Sequence, residues 1–172
     1  PIARIQKVKM TPLFKAVLDK NIEMIKLLLS IDSIDVNIKG QFFYLAALNS
    51  DNYTYGFEKS PLYNAILGNN TEIVKLLLGN NKIDCNTLNI NYSLGDDEIK
   101  NEKTPLFAAV ENNNIDIVKL LLDSKNIDLN MKSKLATIGG GENEDDVREI
   151  EYKTPLELAV ENNNADIIKL LD

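Results

Sequence analysis

The sequence predicts a mainly α fold, a solenoid of stacked helix pairs from which β-hairpins project. Nearly the same phrase is written four times, from Thr11, Ser60, Thr104 and Thr154, and the first copy reads TPLFKAVLDKNIEMIKLLL. Three of the copies are followed, at one fixed distance, by IDVN, IDCN or IDLN. A module repeated in this way can bury its apolar face only against its neighbours. We therefore expect one array over residues 1–172 rather than two globular domains.

Each copy opens with a helix start. The hydroxyl of Thr or Ser can accept a hydrogen bond from a free amide of the first turn, and Pro at the first helical position loses no hydrogen bond. A polar pair such as Asn69-Asn70 then ends this first helix, because Asn tolerates the left-handed conformation. In the second helix the apolar residues recur at i, i+3 and i+4, which gives one core-facing stripe. The helix pairs are predicted over residues 11–30, 60–79, 104–123 and 154–172.

A helix pair followed by an extended arm, opened by TPL and closed by VN, closely resembles the ankyrin repeat. The matching motifs are TPLF, SPLY, TPLF and TPLE in the first helix, IVKLLL or a variant in the second, and IDVN, IDCN and IDLN at the exit. The histidine of the usual TPLH is replaced, and the chain has no His at all. The residues in its place are Phe14, Tyr63, Phe107 and Glu157. The resemblance implies an ankyrin-like α-solenoid with a concave face.

The resemblance also places the residues that follow the Ala-Val or Ala-Ile pair of each first helix on the concave side. As candidate contacts for a protein partner, they change from apolar to acidic along the array. They are Leu18, Leu67, Glu111, Asn112, Glu161 and Asn162. The alternative interpretation is ordinary variation at the end of a helix.

The copies are spaced more widely than usual. Their starts lie 49, 44 and 50 residues apart, against about 33 for the common unit. The excess falls in three segments, which we call fingers one, two and three: residues 38–59, 87–103 and 131–153. Turn residues between β-prone arms predict that each finger is a hairpin. Insertions of this kind often lie on the binding face of a repeat array.

Finger one contains six of the eleven Phe and Tyr residues of the chain. They are Phe42, Phe43, Tyr44, Tyr53, Tyr55 and Phe57. One interpretation is an aromatic contact patch, because such side chains dominate many interface hot spots. The other is that the rings pack on neighbouring elements and stabilise the insertion, since an aromatic hairpin exposed on both faces would aggregate.

Charged residues predict the strand register of finger three and the character of the tips of fingers two and three. In finger three, pairing Lys134 with Glu149 and Lys132 with Glu151 would place opposite charges across the strands and fix the register. Acidic residues also crowd the tips of fingers two and three. Those of finger three, Glu142, Glu144, Asp145 and Asp146, do not fit the spacing of a calcium loop. Solvated tips that attract a partner with a basic patch are the preferred interpretation.

The composition of the chain argues against several classes of binding partner. A net charge of −7 and a pI near 4.7 argue against nucleic acid and against an anionic membrane surface. The apolar runs are too short for membrane insertion. Cys85 is the single cysteine and takes the valine position of the exit motif, which predicts a buried, reduced thiol. The lack of a disulfide framework suggests a cytoplasmic or otherwise intracellular location.

Catalysis is not expected, because the sequence offers no His, no phosphate-binding Gly loop and no metal-ligand pattern. We therefore predict no cofactor and no metal. The leading hypothesis is a non-catalytic scaffold that binds a protein through its concave face and fingers. One alternative is a regulatory or spacer segment of a larger protein whose activity lies elsewhere. Another is a calcium-responsive module.

Both ends of the sequence look cut from a longer array. The chain begins at Pro1, and it stops at Asp172 inside the second helix of the fourth unit, without the exit arm of the other three. A terminal repeat needs a polar outer face to remain soluble. We therefore expect self-association through this uncapped end, or fraying there.

Overall fold

A computed structural model describes residues 4–48, 51–94, 98–138 and 148–172, with side chains over 8–43, 56–92, 100–136 and 149–172. Eight helices and seven strands lie in these ranges. The strands are β1 (Arg4–Lys9), β2 (Gly40–Leu48), β3 (Asp51–Lys59), β4 (Asn89–Leu94), β5 (Glu98–Lys103), β6 (Ser133–Ile138) and β7 (Arg148–Lys153). The helices are α1 (Pro12–Leu18), α2 (Ile22–Leu29), α3 (Pro61–Leu67), α4 (Thr71–Leu78), α5 (Pro105–Glu111), α6 (Ile115–Leu122), α7 (Pro155–Glu161) and α8 (Ala165–Leu171).

The helix starts and the turns between helices follow the predicted chemistry. Ser60 accepts a hydrogen bond from the Tyr63 amide at 3.2 Å, and the Thr residues that precede the other first helices act in the same way. The first residue of each polar pair is left-handed, with φ between 48° and 55°. The second residue caps the next helix, as Asn70 does by accepting from the Ile73 amide at 3.1 Å. The helix pair is therefore specified by a few local residues.

One hydrophobic core runs through all four units. The residues that replace the usual histidine of units one to three belong to it, since Phe14, Tyr63 and Phe107 are at most 1% exposed. In the fourth unit Glu157 is exposed instead, and its carboxylate closes a capping box at the start of α7. Cys85 is a buried free thiol, as predicted. Burial of such large side chains is the main force that holds the stack together.

The exit loops are joined by asparagine side chains. Asn37 donates to the Lys82 carbonyl at 2.7 Å and accepts from the Asp84 amide at 2.9 Å. Asn86 makes the same pair of bonds to the exit loop of the third unit, at 2.6 and 2.8 Å. The Asn of the exit motif therefore links each of these units to the next.

The fingers are hairpins, but they do not project separately. Besides the hairpin pairs β2–β3, β4–β5 and β6–β7, the pairs β1–β2, β3–β4 and β5–β6 also form, all antiparallel. The result is one seven-stranded sheet in chain order. Strand edges carry free amide and carbonyl groups, and the neighbouring finger satisfies them. The expectation of a mainly α fold is therefore only partly met, because the sheet is a second major layer.

The charge-based register predicted for finger three is wrong. Lys134 lies opposite Tyr152, Glu149 lies opposite Thr137, and β6 begins only after Lys132. Strand β6 begins at Ser133, which lies opposite Lys153 at the base of the hairpin. There the buried Ser133 hydroxyl accepts from the Thr104 amide at 3.1 Å. A buried hydrogen bond outweighs exposed charge pairs, which contribute little.

Candidate protein-interaction groove

Three lysines mark the corner between the sheet and the first helices. Lys59, Lys103 and Lys153 end β3, β5 and β7, directly before the caps of α3, α5 and α7. Because side chains alternate along a strand, the three equivalent positions present one side of the sheet. We call this corner the groove: the lysine-bearing side of the sheet together with the ends of the first helices.

In the third and fourth units these lysines bind the glutamate that ends the same first helix. Lys103 Nζ donates to the two carboxylate oxygens of Glu111 at 2.7 and 2.8 Å. Lys153 Nζ donates to Glu161 at 2.8 Å and lies 2.7 Å from a Glu151 oxygen. The bonds to these two glutamates raise the pKa of Lys153. The groove is thus closed by ion pairs at these two units.

The second unit lacks this ion pair. Helix α3 ends in Leu67 where α5 ends in Glu111, so the residue eight positions after Lys59 is apolar. Lys59 makes no salt bridge to any described carboxylate, and its Nζ lies 4.4 Å from the centroid of the Phe57 ring. Burial, and secondarily the charge of Lys103, lowers the pKa of Lys59. Among the described residues, no carboxylate offsets the partial desolvation of this ammonium group.

The apolar candidates from the sequence lie at the first two units. Leu18 and Leu67 are 43% and 38% exposed. Both line one depression of about 240 Å³ at the ends of α1 and α3. Two large apolar side chains that share a solvent-facing depression form a small docking area.

The polar candidates have different surroundings. Glu111 and Glu161 are held by the lysine bonds described above, although both remain exposed. Asn112 is half-buried and donates to the Ile66 carbonyl at 3.2 Å, so it links units two and three. Asn162 is exposed at the end of α7. The structure therefore brings the six candidates to one line of helix ends.

The described aromatic side chains of finger one are divided between the two sides of the sheet. Phe42 and Phe57 pair across β2 and β3 with their centroids 4.7 Å apart, and Phe42 lies 6.3 Å from Phe14. Phe43 points to the other side and lies 5.6 Å from Tyr92 on β4. These rings are half-buried and support the interpretation that finger one has its own packing.

Phe43 reaches Tyr92 by crossing Gly56 on the strand between them. A Cβ atom at Gly56 would come within 2.5 Å of the Phe43 ring and 2.8 Å of the Phe42 carbonyl oxygen. Glycine is therefore required for this close approach. Tyr44, Tyr53 and Tyr55 belong to β2 and β3, but their side chains lie outside the described residues.

Within the described ranges, no three His, Cys, Asp or Glu residues come close enough to hold a metal ion. The acidic tip of finger three, Glu142, Glu144, Asp145 and Asp146, lies outside those ranges. The helices described have at most eight residues, and none has the length and apolar character needed to cross a bilayer. Burial, the largest influence, raises the pKa of the Cys85 thiol and so disfavours its reactive thiolate.

The architecture defines a repeat protein with an extended groove and no enclosed active site in its described part. The family model for ankyrin repeats (3 copies) matches residues 3–89 and 40–133, and the chain belongs to the ankyrin repeat family. No curated protein matches the chain. Ankyrin repeats are generally non-catalytic modules for protein–protein interaction. The resemblance stated from the TPL and VN motifs is therefore confirmed.

The sequence motifs did not point to Lys59, Lys103 and Lys153 as part of the groove. Their signal is nevertheless local, because Lys directly precedes Ser-Pro or Thr-Pro in three of the four units. The lysine forms an ion pair with a glutamate eight residues later, and that glutamate is present in two units, as Glu111 and Glu161.

Proposed function

We propose that the chain is a non-catalytic scaffold that binds a protein partner in the groove, with the sheet formed by the fingers as one wall. The observation that carries the proposal is the shared depression of Leu18 and Leu67. The equivalent apolar positions one residue earlier, Val17 and Ile66, are buried in the core. On these two helices, the apolar side chain changes from buried to exposed at the position that lines the depression.

The groove offers two kinds of recognition along its length. Its first half combines exposed leucines with Lys59, which pairs with no carboxylate in the described part of the chain, and its second half presents ion pairs at the rim. Interfaces of this composition derive affinity from apolar anchors and specificity from charges. The acidic finger tips of the sequence fit a role in attracting basic parts of the partner over longer distances.

The test starts from a library of random twelve-residue peptides displayed on phage and selected on the whole chain. Selected peptides are then synthesised, and their affinities are measured by fluorescence anisotropy. If the groove is the binding surface, Leu18→Ser and Leu67→Ser weaken binding at least tenfold. The matched control is Leu27→Ser, which removes an equally large and 58% exposed leucine from α2 on the second row of helices.

Two results would contradict the proposal. One is a selection without any peptide that depends on Leu18 or Leu67, and the other is an equal loss in the Leu27 control. Either result would favour the alternative of a regulatory or spacer segment. Circular dichroism of each variant checks that the helical content is unchanged.

A further inference from the structure

We infer that Lys59 selects an acidic residue of the partner: a peptide segment with an Asp or Glu beside an apolar residue, seated on Leu18 and Leu67. This inference rests on the proposed function. It specifies which kind of peptide segment binds in the first half of the groove. It follows from a comparison of equivalent positions in the same chain.

The chain itself shows what a lysine at this position binds. Lys103 and Lys153 occupy the equivalent place in units three and four, and each binds a carboxylate at 2.7–2.8 Å. The carboxylate comes from the last residue of the following first helix in both units. Unit two has the same terminal lysine on its strand and the same helix length, and the hydroxyl of Ser60 caps its helix as Thr does in the other two units. Its Leu67 therefore leaves the carboxylate position without an oxygen.

Lys59 is held in place for such a contact. Its ammonium group lies over the Phe57 ring at 4.4 Å, an arrangement that orients a cation without neutralising it. The side chain is half-buried, so a partner that brings a carboxylate covers a charge that is already partly desolvated. Lowered solvation reduces the additional desolvation on binding and strengthens the attraction between the two charges.

The neighbouring charges leave a local positive excess. After the larger effect of burial, the charge of Lys103 also lowers the pKa of Lys59, and Glu111 pairs with Lys103. Glu111 also raises the pKa of Tyr63, after the larger effect of burial, so its field reaches the second unit. The glutamate is thus bound to Lys103, whose charge still acts on Lys59. The net charge of −7 does not prevent an acidic contact, because salt screens charges beyond about 8–10 Å.

The apolar neighbours define the rest of the segment. Leu18 and Leu67 lie in one depression, next to the unit whose lysine is unpaired. A segment that places an apolar side chain in this depression covers Leu67, which stands at the helix position where Lys103 and Lys153 bind their glutamates in the other units. A carboxylate adjacent to that apolar side chain completes the contact that Glu111 and Glu161 complete internally in the other units.

The decisive variant is Leu67→Glu, which gives unit two the glutamate of units three and four. It should close the ion pair with Lys59 and weaken groove-binding peptides at least about tenfold, the size of one close charge contact. Leu67→Gln has a similar shape without the charge and removes the same apolar contact, so it is the reference variant. Leu67→Glu should bind these peptides about tenfold more weakly than Leu67→Gln does. Leu18→Glu is the matched control for added charge, because Met10 stands where the other units have lysine.

The experiment uses the displayed twelve-residue library and synthetic versions of the selected peptides. Peptides that depend on Leu18 and Leu67 should carry Asp or Glu next to an apolar residue. Changing that acid to Asn or Gln should weaken binding to the wild-type chain about tenfold and leave binding to Lys59→Met unchanged. Thermal unfolding should show that Leu67→Glu is as stable as the wild-type chain.

The results distinguish the role of Lys59 from the role of the groove as a whole. Peptides that require Leu18 and Leu67 but carry no acid, or that bind Lys59→Met as tightly as the wild-type chain, would overturn this inference and leave the proposed function standing. A library without any peptide that requires these leucines would overturn the proposed function and this inference with it.

Discussion

In the second half of the groove, Lys103 and Lys153 each bind the glutamate that ends the following first helix; in the first half, Lys59 is followed by a helix that ends in Leu67. The first helices that follow these lysines all have seven residues. With leucine in place of glutamate at the helix end, unit two has a partly buried cation and an apolar depression where the other two units have an internal ion pair. The comparison shows how a repeat array creates a specific surface by omitting a contact that its other units make.

Both halves of the groove lie on one hydrophobic core, and the first prediction concerns a substitution that disrupts this core. Phe107 is fully buried, and Lys103 Nζ lies 5.9 Å from its centroid. Replacing Phe107 by Ala leaves a large cavity and should lower the free energy of unfolding by about 3–5 kcal/mol. Urea unfolding followed by circular dichroism measures this loss.

The fourth unit supplies the control for that variant. Glu157 stands at the equivalent position but is exposed, and its carboxylate accepts from the Thr154 amide at 2.7 Å. Glu157→Ala removes only half of a solvent-exposed capping box and should cost far less than the loss of the buried Phe107 ring. Equal losses in the two variants would show that the position contributes no core packing.

The second prediction concerns the bond that sets the base of the sheet beside Lys59. Asn89 is fully buried, and its Oδ1 accepts from the Ser60 amide at 2.7 Å. Asn89→Ala leaves that buried amide without a partner and should destabilise the chain by about 1–3 kcal/mol. The exposed Asn81→Ala is the control and should stay within about 0.5 kcal/mol. If both variants unfold at the same urea concentration, the register is not anchored there.

The third prediction compares the pKa of Lys59 in the first half of the groove with that of Lys153 in the second half. The pKa of Lys59 is lowered from 10.5, mainly by burial, whereas carboxylate bonds raise the pKa of Lys153 above that value. The folded chain thus binds the Lys59 proton less tightly than the unfolded chain does. Its unfavourable contribution to stability is present at neutral pH and disappears as the pH rises through the folded pKa towards 10.5.

For Lys153 the sign is reversed. Its favourable contribution is complete below 10.5 and is lost as the pH rises through the raised pKa of the folded state. NMR titration of the side-chain amines should give a lower midpoint for Lys59 than for Lys153, and Leu67→Glu should move the Lys59 midpoint upward. Coinciding midpoints would mean that Lys59 already has an anionic partner.

The sequence predicts the helix pairs well because their signals are local. A hydroxyl three residues before the amide that it caps, and a polar residue at the left-handed position, lie within one short motif. The anchoring of β6 could not be predicted in this way, because Ser133 bonds to an amide 29 residues earlier in the chain. Pairing between neighbouring fingers is equally non-local, since it depends on how the helices stack.

The groove was predictable in part for the same reason. The repeat pattern places Leu18, Leu67 and the two glutamates at one helix position, but it does not show that a lysine reaches that position. The contact between Lys103 and Glu111 joins a strand end to a helix end across the corner of the fold. Its absence at Lys59 becomes visible only when the equivalent units are compared in three dimensions.

The fourth prediction carries the smallest effect on folding and tests the end of the array against its interior. Val17, Ile66 and Val110 are at most 2% exposed, because the next unit covers each of them. Val160 stands at the equivalent position of the last unit and is 55% exposed. Removing such a side chain from water on contact with another molecule is worth up to about 1.5–3 kcal/mol.

We therefore expect this chain to self-associate through its last unit, with Val160 in the contact. Sedimentation velocity over a hundredfold range of concentration should show a rising sedimentation coefficient for the wild-type chain and a constant one for Val160→Lys. The free energy of unfolding at low concentration should change by less than about 0.5 kcal/mol, because the side chain is mostly in water. The opposite end provides the control: Leu27→Lys alters an exposed leucine of α2 and should leave the association unchanged. A wild-type chain that remains monomeric over the whole range would refute the prediction.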